Sequence, residues 1–170
     1  VEAGCELCVM EVSSQGLMMH RTAGIPFEIG IFTNLAPDHI GPNEHASFEE
    51  YAACKGMLFR QCRLGIANID DEHFHMVLDG HTCELETIGF SEAADYRASN
   101  MELIGRPGYL GVQYHVAGLM DFDVEIDIPG DFSVYNSLTA IAVCRHFGVP
   151  VEDIKKALKV ARVKGRIEMI

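Results

Sequence analysis

The stretch FEIGIF at residues 27–32 and the stretch GIANI at residues 65–69 decide the fold of this chain. Both are short apolar runs followed by polar residues, a pattern typical of buried strands that end in loops. Between them, Ser47 and Glu50 have the spacing of a capping box, which predicts a helix from Phe48 to about Arg63. A strand, a helix and a second strand in this order predict parallel strands joined by a crossover helix.

Further strands and helices are predicted on both sides of this unit. The run CELCVMEV at residues 5–12 predicts another buried strand. After Cys83 the apolar runs follow one another without helices between them, which predicts strands at residues 84–88, 96–104, 110–117 and 119–128. The last of these runs alternates apolar and acidic residues, as an antiparallel strand with one solvated face does. Two helices are predicted at about 133–147 and 151–160.

The expected architecture is therefore one α/β domain, with a mostly parallel sheet, flanking helices and a small added antiparallel sheet. The chain has 170 residues and is 48% hydrophobic, and it carries 13 Lys and Arg against 25 Asp and Glu, a net charge of −12. This acidic balance argues against general binding to nucleic acid or to anionic lipid, which requires Lys and Arg. No apolar run is long enough to span a bilayer, so we expect no membrane insertion.

The six cysteines and the chain ends bear on the cellular setting. Cys5 and Cys8 have the spacing of half a zinc site, but no second pair with suitable spacing follows, so buried, reduced thiols are the preferred interpretation. With no basic leader before Cys5, we expect a cytoplasmic protein. The chain begins at Val1 and ends on an apolar stretch at Ile170, so we expect a piece of a longer protein.

Candidate site residues follow the predicted strands directly. Ligands of open parallel sheets collect beyond the carboxyl ends of the strands, so Glu11 and His39 are expected to converge on one crevice. A solvated Glu11 and a His39 that caps a helix would explain the same positions. Lys55 lies within an apolar helical stretch, where lysine side chains commonly reach out to solvent. Arg166 beside a glycine could contact a phosphate or simply lie on the surface.

Several longer motifs, taken together, resemble the middle domain of the Mur ligases. They are VMEVSSQGLMMHR at residues 9–21, FTNLAPDH at 32–39, FEEYAACKGMLF at 48–59, Asn68-x-Asp70-Asp71, Ala94-Asp95-Tyr96, the stretch from Val134 to Ile154, and Gly165-Arg166-x-Glu168. They occur in the same order as in that family and span nearly the whole chain. The pattern is most similar to the enzymes that add the third residue to UDP-N-acetylmuramoyl-L-alanyl-D-glutamate.

The resemblance implies ATP-dependent formation of an amide bond in peptidoglycan precursor synthesis. ATP would phosphorylate a carboxylate of the UDP-muramoyl-dipeptide, and an incoming amino acid would displace the phosphate. The resemblance also implies a Mg²⁺ site formed by Glu11, His39 and a carbamylated Lys55, which are the expected catalytic residues. Carbamylation has a chemical logic, because it converts a cation that repels Mg²⁺ into an anion with oxygen donors.

Other residues match the substrate-binding positions of the family. Ser13 and Arg21 are implied contacts of the UDP-muramoyl-dipeptide, and a guanidinium suits its carboxylates and phosphates. Asn136 is an implied adenine contact, although a polar residue early in a helix needs no ligand to explain it. Arg166 is implied to face the ATP phosphates.

The sequence departs from the family pattern at a few of these places. Gln15 stands where His is common, Met19 where Gln is common and Ser133 where Asn is usual. These changes leave the implied metal ligands intact but weaken the implied contacts to substrate and adenine.

The resemblance also shows what the chain lacks. No G-x-x-G-K-[ST] phosphate loop occurs in the sequence, so we expect residues 1–170 to be part of the central ATP-binding domain. The phosphate loop, the UDP-binding domain and the C-terminal domain would then lie elsewhere, and this chain alone is expected to be inactive.

Two alternatives remain open, and two properties stay unassigned. The chain could belong to another ligase of the superfamily, such as folylpolyglutamate or cyanophycin synthetase. It could also be a non-catalytic scaffold domain of the same fold. The sequence identifies neither the third amino acid, whether lysine, diaminopimelate or another, nor the oligomeric state.

Overall fold

The computed structural model describes residues 4–37, 40–42, 44–107 and 109–161. The strands are β1 (Phe27–Phe32), β2 (Cys62–Asn68), β3 (Glu84–Gly89), β4 (Tyr96–Arg106), β5 (Tyr109–Gly118) and β6 (Phe122–Ile126). The α-helices are α1 (Ser14–Met18), α2 (Phe48–Gly56), α3 (Phe74–Val77), α4 (Asp131–His146) and α5 (Val151–Val160). A 3₁₀ helix at Met57–Arg60 directly follows α2.

The six strands form one mixed sheet in the order β1-β2-β3-β4-β5-β6. The strand pairs β1–β2, β2–β3 and β3–β4 are parallel, whereas the pairs β4–β5 and β5–β6 are antiparallel. The predicted α/β fold is thereby confirmed, with the difference that the antiparallel strands continue the parallel sheet. The loop at residues 90–95 is too short for a crossover, so β4 begins where β3 ends and pairs with it only at Ile88–Tyr96 and Gly89–Arg97.

Helices cover both faces of the parallel part of the sheet. Along β2, Leu64 and Ile66 join the core that includes α4 and α5, whereas Ala67 joins the core that includes α2 and α3. This alternation follows from the period of two in a strand. Val134 and Leu138 of α4 are fully buried against the first of these faces. Among the described residues, no helix combines the length and the apolar character needed to cross a bilayer.

The predicted strand at residues 5–12 is wrong in this structure. The described part of this stretch forms no strand, and the Val9 side chain is 96% exposed. An apolar run becomes a strand only when a neighbour pairs with its backbone, and within the described residues β2 is the strand that pairs with β1. The cysteine prediction fails at the same place, because Cys5 and Cys8 are exposed while Cys54 and Cys62 are buried.

Two predicted elements are shorter in the structure than expected. The strand predicted at 119–128 is confined to β6, where Val124 and Ile126 are buried as the alternation requires. The helix predicted from Phe48 to about Arg63 is regular only to Gly56, and its last turn tightens into the 3₁₀ helix. A side chain at Gly56 would meet the Val77 carbonyl oxygen at 2.5 Å, so close packing against α3 fixes this glycine.

Candidate active site

The carboxyl ends of β1 and β2 are tied together by the motif Asn68-x-Asp70-Asp71. The Asn68 side-chain amide donates to the Thr33 carbonyl at 2.9 Å. One Asp71 oxygen accepts from the Leu35 backbone N–H at 2.9 Å, and the other accepts from the His73 backbone N–H at 2.9 Å. These bonds fix the segment 33–35, which leads directly to the predicted ligand His39. His39 itself lies outside the described residues.

Asp70 connects the same strand end to the opposite face of the sheet. Its carboxylate accepts from the backbone N–H groups of Phe90 and Ser91, at 2.5 and 3.1 Å, and from the Tyr135 hydroxyl at 3.1 Å. Tyr135 precedes Asn136 on α4. One carboxylate thereby links this helix to the end of β2 and to the loop after β3.

Lys55 projects from α2 toward the N-terminal end of that helix. The helix begins at Ser47, whose hydroxyl accepts from the Glu50 backbone N–H at 3.2 Å, as the capping box predicts. The Lys55 Nζ lies 5.1 Å from the centre of the Tyr51 ring, one turn earlier, which is the direction long helical side chains prefer.

The Lys55 side chain is half-buried and lies within the electrostatic influence of Glu11. Burial lowers the pKa of the Lys55 ammonium, and the nearby Glu11 carboxylate partly opposes this by raising it. Desolvation is the larger of the two effects, so the site favours the neutral amine relative to a lysine in water. Two of the three predicted metal ligands therefore lie within electrostatic reach of each other.

The two predicted substrate contacts flank the short helix α1. Ser13 caps this helix, because its hydroxyl accepts from the Gly16 backbone N–H at 3.0 Å. Arg21 follows the helix and is exposed, with its guanidinium contacting the Met19 sulfur at 3.3 Å. Ser13 and Arg21 therefore belong to the same surface segment as Glu11.

Asn136 lies apart from this group, on the other face of the sheet. It is exposed and lines an apolar cavity of about 470 Å³ together with side chains of β6, α4, α5 and the segment between β6 and α4, among them Ile126, Pro129, Phe132 and Leu158. Phe132 is 74% exposed at this cavity. Arg166, the other predicted ATP contact, lies outside the described residues.

Comparison with known proteins identifies the fold and the family. The sequence pattern of the Mur ligase middle domain matches residues 1–144. The chain belongs to the Mur ligase middle domain family. It is 39% identical to UDP-N-acetylmuramoyl-L-alanyl-D-glutamate–2,6-diaminopimelate ligase 1 of Clostridium acetobutylicum over 97% of this chain and 33% of that protein.

Two further comparisons agree. The chain is 35% identical to the UDP-N-acetylmuramoyl-L-alanyl-D-glutamate–L-lysine ligase of Streptococcus pneumoniae over 95% of this chain and 32% of that protein. A solved UDP-N-acetylmuramoyl-L-alanyl-D-glutamate–2,6-diaminopimelate ligase superimposes with a TM-score of 0.84 at 24% identity, over 99% of this chain and 35% of that one. The Mur ligase domain described here thus spans about a third of the length of its relatives.

The described donor atoms of the candidate site do not by themselves fit a hard cation. Among the described residues, no cluster of three or more His, Cys, Asp or Glu side chains could hold a metal. The described donors are the Glu11 carboxylate and the Lys55 amine. A carbamate on Lys55 would supply the additional oxygen donors that Mg²⁺ requires.

Three buried or hydrogen-bonded residues near the candidate site had no predicted role. His45 is completely buried beside Ser14 and Tyr51, but a lone histidine in a polar loop carries no signal in the sequence. Asp70 and Asp71 were visible as a polar pair directly after a strand. Their hydrogen-bond partners, however, are distant in sequence and could not be read from it.

Proposed function

We propose that the full-length gene product containing this chain is an ATP-dependent ligase that adds the third amino acid to UDP-N-acetylmuramoyl-L-alanyl-D-glutamate. Residues 1–170 would supply part of its central ATP-binding domain. Relatives named for this reaction match 95% or more of the chain. The structural observation that supports the proposal is a half-buried Lys55 amine, within the electrostatic influence of the Glu11 carboxylate, on a domain of the Mur ligase fold.

The environment of Lys55 suits carbamylation. The lone pair of a neutral amine attacks the carbon of CO₂, so that a nitrogen–carbon bond forms while one C=O π bond opens onto oxygen. The nitrogen then releases one proton to solvent, which leaves a carbamate anion. Burial lowers the pKa of Lys55 and so increases the fraction of amine that can react. An unmodified ammonium would repel a divalent cation, whereas a carbamate attracts one.

Glu11, His39 and carbamylated Lys55 would hold Mg²⁺ in this proposal. The ion, when bound, offsets negative charge that develops as a phosphoryl group is transferred. The contribution of the chain itself would be to hold the elements that lead to two of these residues. Asn68 and Asp71 hold the segment before His39, and the capped helix α2 carries Lys55.

The remaining residues would bind the substrates. Ser13 and Arg21 lie on the surface segment that includes Glu11, where a guanidinium can pair with a carboxylate or phosphate of the UDP-muramoyl-dipeptide. Asn136 offers its amide at the rim of an apolar cavity, which suits an adenine ring. Arg166 would contact the ATP phosphates.

The reaction would proceed by two transfers. A carboxylate of the dipeptide attacks the terminal phosphorus of ATP, giving an acyl phosphate and ADP. The amine of the third amino acid then attacks the acyl carbon, an amide bond forms, and phosphate leaves with the bonding electrons. The use of ATP and a UDP-linked sugar places the proposed enzyme in the cytoplasm.

ADP release by the full-length gene product tests this proposal. We expect ADP release only when the UDP-muramoyl-dipeptide is present together with either diaminopimelate or L-lysine, and comparison of the two amino acids identifies the third residue. ADP release that needs a folate in place of the dipeptide would favour the folylpolyglutamate alternative. An absence of release with every substrate would favour the scaffold alternative.

A further inference from the structure

His45 is a buried polar side chain that the proposed chemistry does not use. It has no exposed surface, and its Nε2 lies 2.8 Å from the hydroxyl oxygen of Ser14, which is only 5% exposed. A buried polar pair of this kind is costly unless its hydrogen bond is made. The contact therefore fixes the position of the two side chains relative to each other.

The other contacts of His45 lead to the helix that carries Lys55. The imidazole ring lies 5.2 Å from the Tyr51 ring at an interplanar angle of 33°. The Lys55 Nζ also lies near this ring, 5.1 Å from its centre. His45 and Lys55 thus both contact Tyr51.

The backbone of His45 also closes the loop that follows His39. The His45 carbonyl accepts from the Gly41 backbone N–H at 3.2 Å, and Ile40 and His45 form an isolated β-bridge. Three segments of the candidate site therefore meet at one residue. These segments are the loop and short helix at residues 11–18, the loop residues 40–42 and 44–45, and helix α2.

The same atoms superficially resemble a Ser-His-acid triad, but they are not placed for nucleophilic catalysis. Ser14 and His45 are both buried, so no substrate can reach the hydroxyl. The Glu50 carboxylate lies 3.9 Å from the His45 Nδ1, beyond hydrogen-bond distance. Its nearer partner is the Ala46 backbone N–H at 2.6 Å.

We propose that His45 is a positioning residue whose hydrogen bond to Ser14 holds the segment that carries Glu11 in place relative to helix α2, which carries Lys55. Ser13 directly precedes Ser14 and Glu11 lies three residues before it, so we expect a displacement of Ser14 to displace both of them relative to α2. This inference rests on the proposed function, since it assigns His45 a role in the site formed by Glu11 and Lys55.

The experiment compares variants of the full-length gene product in the ADP-release assay. His45→Phe keeps an aromatic ring against Tyr51 but loses the bond to Ser14, and Ser14→Ala removes the bond from the other side. Misplacement of a reacting group by about 1 Å can cost about 100-fold in rate. We expect each variant to lose about 100-fold in kcat with little change in KM for ATP.

Two further variants, a conservative replacement of His45 and a double variant, distinguish a positioning role from a general loss of stability. His45→Gln places an amide nitrogen near the former Nε2, so we expect it to recover most of the lost kcat. The double variant Ser14→Ala/His45→Phe is expected to lose no more than either single variant, because both remove the same bond. His75→Phe, at an exposed histidine on α3, is the matched control and is expected to retain the wild-type kcat.

Amide hydrogen exchange supplies a readout that does not depend on activity. We expect His45→Phe and Ser14→Ala to speed exchange in residues 13–18 while exchange in α4 stays unchanged. If both variants keep kcat within roughly twofold of wild type, or if their losses multiply in the double variant, the positioning role is refuted. A wild-type protein that releases no ADP would instead overturn the proposed function, and unchanged exchange in residues 13–18 would then overturn the His45 inference separately.

Discussion

Replacement of Asp71 by alanine should destabilise the carboxyl edge of the sheet. The Asp71 side chain is 9% exposed, and its two oxygens accept from the backbone N–H groups of Leu35 and His73, each at 2.9 Å. The first bond joins the segment after β1 to the segment after β2. Alanine removes both acceptors and leaves the N–H of the buried Leu35 without its partner.

The expected loss in the free energy of unfolding follows from the two lost hydrogen bonds. A hydrogen bond to a charged group contributes about 1.5–3 kcal/mol, and solvent screens this pair little because the side chain is largely buried. Taking the lower value for each bond, we expect Asp71→Ala to lower the free energy of unfolding by about 3 kcal/mol. For a domain of this size that corresponds to a fall in Tm of about 6–12 °C.

Urea and thermal unfolding of the chain, followed by circular dichroism, measure this loss. Asp71→Asn keeps one acceptor oxygen and should lose about half as much free energy. Glu72→Ala is the matched control, because Glu72 is the exposed neighbour in sequence, and it should change stability by less than about 0.5 kcal/mol. A loss for Asp71→Ala no larger than that of the control would refute the assigned role of the motif.

The remaining predictions concern the site and the thiols. In the full-length gene product, Lys55→Met should lower kcat on the order of 100-fold, whereas Lys156→Met, at an exposed lysine of α5, should leave ADP release unchanged. Residues 1–170 alone should release no ADP in the same assay. Burial and the neighbouring Cys83 raise the pKa of the Cys62 thiol to about 12, so iodoacetamide at pH 8 should label exposed Cys8 and spare Cys62, as mass spectrometry can show. Because the folded-state pKa is the higher one, this group stabilises the fold at low pH, and its contribution should decline as the pH rises from about 9 toward 12.

Much of the fold was predictable because its signals are local. The pattern at 27–32 gave β1 and the capping box at Ser47 gave the start of α2, since each depends on residues close in sequence. The stretch at 5–12 has an equally apolar pattern but forms no strand. Strand formation there depends on a pairing partner, which a local pattern cannot supply.

Less of the candidate site than of the fold could be predicted from the sequence. The grouping of Glu11 with Lys55 was implied by the family resemblance alone, because the strand expected to lead to Glu11 does not form. In the folded chain the Glu11 carboxylate acts electrostatically on the Lys55 amine. The separation of Asn136 onto the other face of the sheet depends on how α4 packs, which the motif does not encode. The bond between His45 and Ser14 joins residues 31 positions apart, so only the folded chain reveals it.

The central claim is that Lys55 is a carbamate that faces Glu11. A crystal structure of the full-length gene product, grown at high pH with bicarbonate and Mg²⁺, tests it most directly because carbamates are lost in the acid used for mass spectrometry. We expect electron density for a carboxylate group on the Lys55 Nζ. A plain ammonium at Lys55 under these conditions would contradict the proposed carbamylation.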